Sequence, residues 1–104
     1  MVQYAGALPA REAASMLKAT YDHRSDVLYL SKGAPVPALS DQDDDGLLLR
    51  RAIKTGEPVG VTVFKYSKWI SYHQELAEKV AKFLDIPASE TKRVLRSIDN
   101  EINA

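Results

Sequence analysis

The apolar period of this chain changes once, and that change restricts what it can become. Residues 59–66, VGVTVFKY, alternate: Val59, Val61 and Val63 fall on one side of an extended chain, and Gly60, Thr62, Phe64 and Tyr66 on the other. From Ser71 the spacing becomes helical. Leu76, Ala77, Val80, Ala81, Phe83 and Leu84 recur at three and four, with Glu75, Glu78, Lys79 and Lys82 facing outward. Asp85-Ile86-Pro87 interrupts, and Thr91, Val94, Leu95, Ile98 and Ile102 then mark a second amphipathic helix. Strands grouped before helices predict an α+β fold, with the helices on one face of a small antiparallel sheet.

The earlier strands follow from local signals. Leu17–Tyr21 and Val27–Leu30 flank the turn residues Asp22-His23-Arg24-Ser25-Asp26, which makes a hairpin. Leu47–Ile53 and Val59–Tyr66 flank Lys54-Thr55-Gly56-Glu57-Pro58 and make a second. Between them, APVPALS (34–40) carries Pro35 and Pro37, which suits a connection or an edge strand and not a central one. The expectation is a four-stranded antiparallel meander over 16–70, followed by a helical hairpin over 71–104. Residues 1–15 read as a weakly structured N-terminal extension, because their apolar residues are mostly alanine.

Length and charge narrow the classes of function. At 104 residues the chain is one domain with a modest core. Lys+Arg and Asp+Glu both count 14, so no global field draws it to nucleic acid or an anionic membrane. There is no cysteine, which excludes disulfides, thiolate nucleophiles and Cys-ligated metal centres. No apolar run approaches the roughly 18 residues of a membrane span, and the N-terminus lacks the pattern of a signal peptide. A cytoplasmic protein is expected. A sheet this small has a face and edges to cover, which predicts a homodimer.

The run TYDHRSDVLYLSKG (20–33), the acidic DDDGLLLR (43–50) and GEPVGVTVF (56–64) together carry a resemblance. Over about residues 17–66 the chain resembles a family of small bacterial proteins catalogued as domain of unknown function 2283. Those proteins show Y-D-x-x-x-D-x-L-Y-I, an acidic approach to a strand, and a closing G-x-x-V-G-I-x-I. Tyr21, Asp22, Asp26, Leu28, Tyr29, Gly56, Val59 and Gly60 match. Arg50-Arg51 departs from the acidic residue that the family places in its third strand. The family has no established activity, so the resemblance implies a fold and no chemistry.

Several groups of residues are candidates for function. DQDDDG (41–46) matches the opening of an EF-hand loop, with Asp41, Asp43 and Asp45 at positions 1, 3 and 5. Position 12, which should be a bidentate Glu, is Ala52, and the flanking helices are missing. A solvated acidic turn is the plainer reading, and no metal or other cofactor is expected. Tyr21, Asp22, His23 and Asp26 form a polar cluster at a hairpin tip that would suit a base or a metal ligand. A turn held by Asp side chains is the more usual reading of such a cluster. No Gly-rich phosphate loop and no G-x-S-x-G occurs. His73 reads as structural or exposed.

The C-terminal residues are loosely similar to a helix-turn-helix, with Ala81, Asp85, Ile86, Val94 and Leu95 at its framework positions. Lys92, Arg93 and Arg96 would then face DNA. The turn residue is Asp85 where Gly is usual, and Thr91 stands where an aliphatic residue is expected. Phe64, Tyr66, Trp69 and Tyr72 form an aromatic group at the strand–helix junction. The favoured function is a non-catalytic interaction module of antitoxin type, a homodimer that binds a second protein through Trp69 and Tyr72. The alternatives are a DNA-binding regulator, and a metal-binding or hydrolytic protein.

Overall fold

The computed structural model describes residues 17–34 and 36–102. The N-terminal extension, Pro35 and the last two residues lie outside the described residues. The architecture is α+β: an antiparallel sheet followed by two C-terminal helices. The strands are β1 (Leu17–Asp22), β2 (Val27–Lys32), β3 (Ala38–Gln42), β4 (Leu48–Ala52) and β5 (Pro58–Phe64). A 3-10 segment over Tyr66–Tyr72 leads into α1 (His73–Leu84) and α2 (Ala88–Ile102). Among the described residues no helix is long and apolar enough to cross a membrane.

The sheet has five strands where four were expected, and its order is β1-β2-β5-β4-β3. The additional strand uses the second half of APVPALS and continues into Asp41 and Gln42. It begins one residue after Pro37, so every residue in it keeps its backbone donor, and it lies at an edge. The order is not that of a simple meander. From β2 to β3 the chain must cross three strand spacings, roughly 14 Å.

Pleating then decides the two faces. On one, Ala19, Leu30, Val61 and Leu49 align across β1, β2, β5 and β4, with Tyr21, Leu28 and Val63 in the next row. The helices cover this face. Leu28, Val61, Val63, Leu76, Val80, Leu84 and Leu95 are fully buried between the layers. Each such side chain contributes about 1.5–3 kcal/mol relative to exposure. The other face carries Thr20, Tyr29, Thr62, Leu48 and Gln42 in one row, and Lys18, Ser31, Gly60, Arg50 and Ser40 in another.

Tyr66 corrects the alternation expected of residues 59–66. The strand ends at Phe64, and Lys65 adopts a left-handed conformation (φ 52°). That reversal turns Tyr66 away from the side of Thr62 and Phe64 and into the core, where it is fully buried.

α1 ends in the same way. Asp85 is left-handed (φ 57°, ψ 52°), and its N–H donates to Ala81 O. The Ile86 N–H donates to the same carbonyl at 3.1 Å. Glycine is favoured at such a helix end, and an acidic side chain there opposes the helix dipole. Asp85→Gly is expected to stabilise the protein by about 1 kcal/mol, raising the urea midpoint without changing the slope. A lowered midpoint would show that Asp85 makes a favourable contact that outweighs both effects.

Candidate functional site

The structure brings the predicted hairpin-tip residues together and adds others that the sequence did not suggest. Asp22 Oδ1 accepts from the backbone N–H groups of Arg24 (3.0 Å) and Ser25 (3.4 Å), closing the turn. Asp26 is left-handed (φ 58°), and its carboxylate faces the segment that follows β5. It accepts from Tyr21 Oη at 2.6 Å, Ser67 N at 3.0 Å and Ser67 Oγ at 2.6 Å. The Asp26 carbonyl accepts from Tyr66 N at 3.0 Å. Asp26 thus pins the 3-10 segment to the β1–β2 turn. His23 lies edge-on to Tyr21 (centroids 4.7 Å apart) and 3.7 Å from Glu101, with the His23 and Glu101 side chains both well exposed.

A second polar contact lies beneath it. The buried Tyr66 donates to Asp99 Oδ1 at 2.6 Å, which joins the core to α2. His73 Nε2 comes within 2.9 Å of Asp99 Oδ2, an ion pair when the ring is protonated. The approach does not meet hydrogen-bond geometry, and this nitrogen has no other partner.

The electrostatics favour holding over catalysis. Burial pushes the Asp26 carboxyl up, but the hydrogen bonds from Ser67 and Tyr21 outweigh it and hold its pKa below the usual value. Tyr21 is pushed up to about 12, first by its hydrogen bond to Asp26, then by burial and the nearby acidic charges. Burial, and then the bond to Asp99, raise Tyr66 as well. A general base works best with a pKa near the operating pH. Asp26 is shifted the other way, and its oxygens are already occupied. It is therefore a weak base for Ser67 Oγ.

The acidic stretch forms the β3–β4 hairpin tip. Asp43 Oδ1 accepts from Asp45 N and Leu47 N, both at 2.9 Å. Gly46 closes the turn at φ 85°. Asp41 lies within β3, and Lys79 of α1 pairs with both Asp43 and Asp45. The Asp43 and Asp45 carboxylates are directed to backbone and lysine. Among the described residues, no group of three or more His, Cys, Asp or Glu is arranged to hold a metal.

On α2, Thr91, Val94, Leu95 and Ile98 face inward, against α1 and β1. Arg93 and Arg96 are exposed and Lys92 is half-buried. Arg93 donates to both carboxylate oxygens of Glu90, at 3.0 and 2.6 Å. The expected aromatic group is dispersed. Phe64 lies on the helix-free sheet face, Tyr66 is in the core, Trp69 packs half-buried against it, and Tyr72 is exposed.

The helix-free face is the uncovered face expected of a small sheet, but the sequence did not single out Tyr29 and Leu48 on it. Tyr29 and Phe64 are 47% and 45% exposed there, with Thr62 buried beside Tyr29 and Leu48 next in the row. Its signal lay in the alternation of VLYLSK, which places Tyr29 opposite Leu28 and Leu30. No family model, no curated protein and no solved structure matches this chain.

Proposed function

We propose that the chain is a non-catalytic interaction module that acts as a homodimer, using the helix-free face of its sheet. The observation that carries this reading is a sheet covered by helices on one side only, with Tyr29, Leu48 and Phe64 on the other. Aromatic residues at the centre of a flat surface are the usual anchors of protein interfaces. The charges support a second copy as the occupant. Lys18 and Arg50 share the row at one end of this face, and Asp22 lies in the row at the other end. A copy turned end for end places the basic row of one over the acidic residue of the other, as a two-fold axis requires. The engagement of Asp26 and Ser67 in structural hydrogen bonds also favours binding over catalysis. A DNA-reading α2 draws less support, because Glu90 occupies Arg93.

Sedimentation equilibrium tests this. The wild type is expected to dimerise, and a Tyr29→Glu/Phe64→Glu variant to sediment as a folded monomer. Both positions are well exposed, so the substitutions leave the core intact. A wild type that is monomeric at every concentration, or a variant that still dimerises, would refute the proposal.

A further inference from the structure

Gly60 has no side chain, and Arg50 uses the space. The two residues are paired across β5 and β4 on the helix-free face. Arg50 Nη1 lies 3.1 Å, and Arg50 Cδ 3.8 Å, from where a Cβ on Gly60 would stand. The side chain therefore lies down across β5, where it is half-buried. Among the described residues it makes no ion pair. A guanidinium held in this way is a platform for an aromatic ring. The chain builds one such stack internally, with the Arg51 guanidinium 4.9 Å from the centre of the Phe83 ring.

Phe64 offers a ring of its own. It shares the strand and the face of Gly60, it is 45% exposed, and Thr62 stands midway between the two. Within one copy, roughly 13 Å of strand separates Phe64 from Gly60. A two-fold axis that runs across the strands, along the row of Thr62, reverses every strand over itself. It sets Phe64 of the second copy over Gly60, and so onto Arg50. It also sets Lys18 over Asp22 of the second copy. An axis along the strands keeps each row over its own kind. Lys18 and Arg50 of both copies then share one row, and Phe64 stays with the row of Asp22.

We propose that Arg50, lying over Gly60, is the docking site for Phe64 of a second copy of this chain, and that this contact fixes the axis across the strands at Thr62. The contact presupposes the homodimer and gives it a register.

The chain has no cysteine, so a single introduced thiol reports position. Thr20→Cys and Leu48→Cys each place one on the proposed axis, on β1 and on β4. Each variant alone is expected to cross-link to its own copy through a bismaleimide of roughly the 10 Å spacing of packed sheets. An axis along the strands can serve one of these positions and not both, because two strands lie between them. Sedimentation equilibrium reads the contact itself. Arg50→Met keeps the stem and removes the charge, and Phe64→Leu removes the ring. Each is expected to weaken the dimer about tenfold, and the double variant little more than either alone. Phe64→Trp should keep the wild-type affinity. A dimer in which only one cysteine variant or neither cross-links, in which the two losses add, or in which neither substitution weakens association would overturn the contact and leave the homodimer standing. A wild type that is monomeric at every concentration would overturn both.

Discussion

Asp26→Ala is expected to lower the free energy of unfolding by about 3 kcal/mol, a large loss for a polar residue near the surface. The carboxylate is the shared acceptor for Tyr21 Oη, Ser67 N and Ser67 Oγ. Its removal leaves the partly buried Tyr21 hydroxyl without this acceptor and frees the start of the 3-10 segment. Alanine also tolerates the left-handed conformation of this position (φ 58°) less well than aspartate or asparagine. Asp26→Asn keeps the shape and one acceptor oxygen, so about half the loss is expected. Urea unfolding of both variants measures the difference, and an alanine variant within about 1 kcal/mol of wild type would show that the bond cluster does not hold the segment.

The same residue sets an acid limit. Its folded pKa lies below the ordinary 3.8. Its contribution is therefore complete above that ordinary value and is lost as pH falls through the folded one. Asp26→Asn should flatten the decline in stability in that acid window and leave the neutral region parallel to wild type.

Gly60→Ala is the second large effect, and general preference predicts the opposite sign. Alanine in a strand usually gains about 0.5–1 kcal/mol over glycine. At Gly60, however, an added Cβ would lie 2.8 Å from the Leu30 carbonyl oxygen and 3.1 Å from Arg50 Nη1. Arg50 can swing aside. Leu30 is on β2, paired to β5 within the sheet interior, and its carbonyl can move only with the strand. A net loss of about 2 kcal/mol is expected. Adding Arg50→Ala should restore little of it, because the limiting contact is with backbone. A neutral or stabilising Gly60→Ala would mean that β2 and β5 separate more easily than their position suggests.

Much of the fold could be read from the sequence where the signal is periodic. The change of period near Ser71 placed the strands before the helices, and Asp22 through Asp26 marked the first turn. What escaped depends on single residues that change direction. Nothing in the composition of Lys65 reveals its left-handed backbone, yet that one conformation carries Tyr66 from the outer face into the core. The prolines left 34–40 open between a connection and an edge strand, and the strand forms from Ala38 because Pro37 precedes it and leaves its donors free. Among site residues, Tyr21, Asp22 and Asp26 stood together in the sequence. Ser67 and Asp99 are distant from their partners, and no spacing rule joins them to Asp26 or Tyr66.

The strand order has a consequence for how the protein is made. β5 is the last strand in the chain and the central one in the sheet. While the ribosome has released only the first two hairpin strands and β3–β4, the two parts share no neighbour. Each exposes edges and apolar side chains, including Leu28 and Leu30, that await residues still inside the exit tunnel. A nascent chain of this kind gains its cooperativity late, when β5 joins the halves, and its inner face is covered later still, as α1 and α2 emerge. Synthesis that stalls before Pro58 would release a single chain that carries two unjoined, adhesive hairpins in place of a partly folded domain.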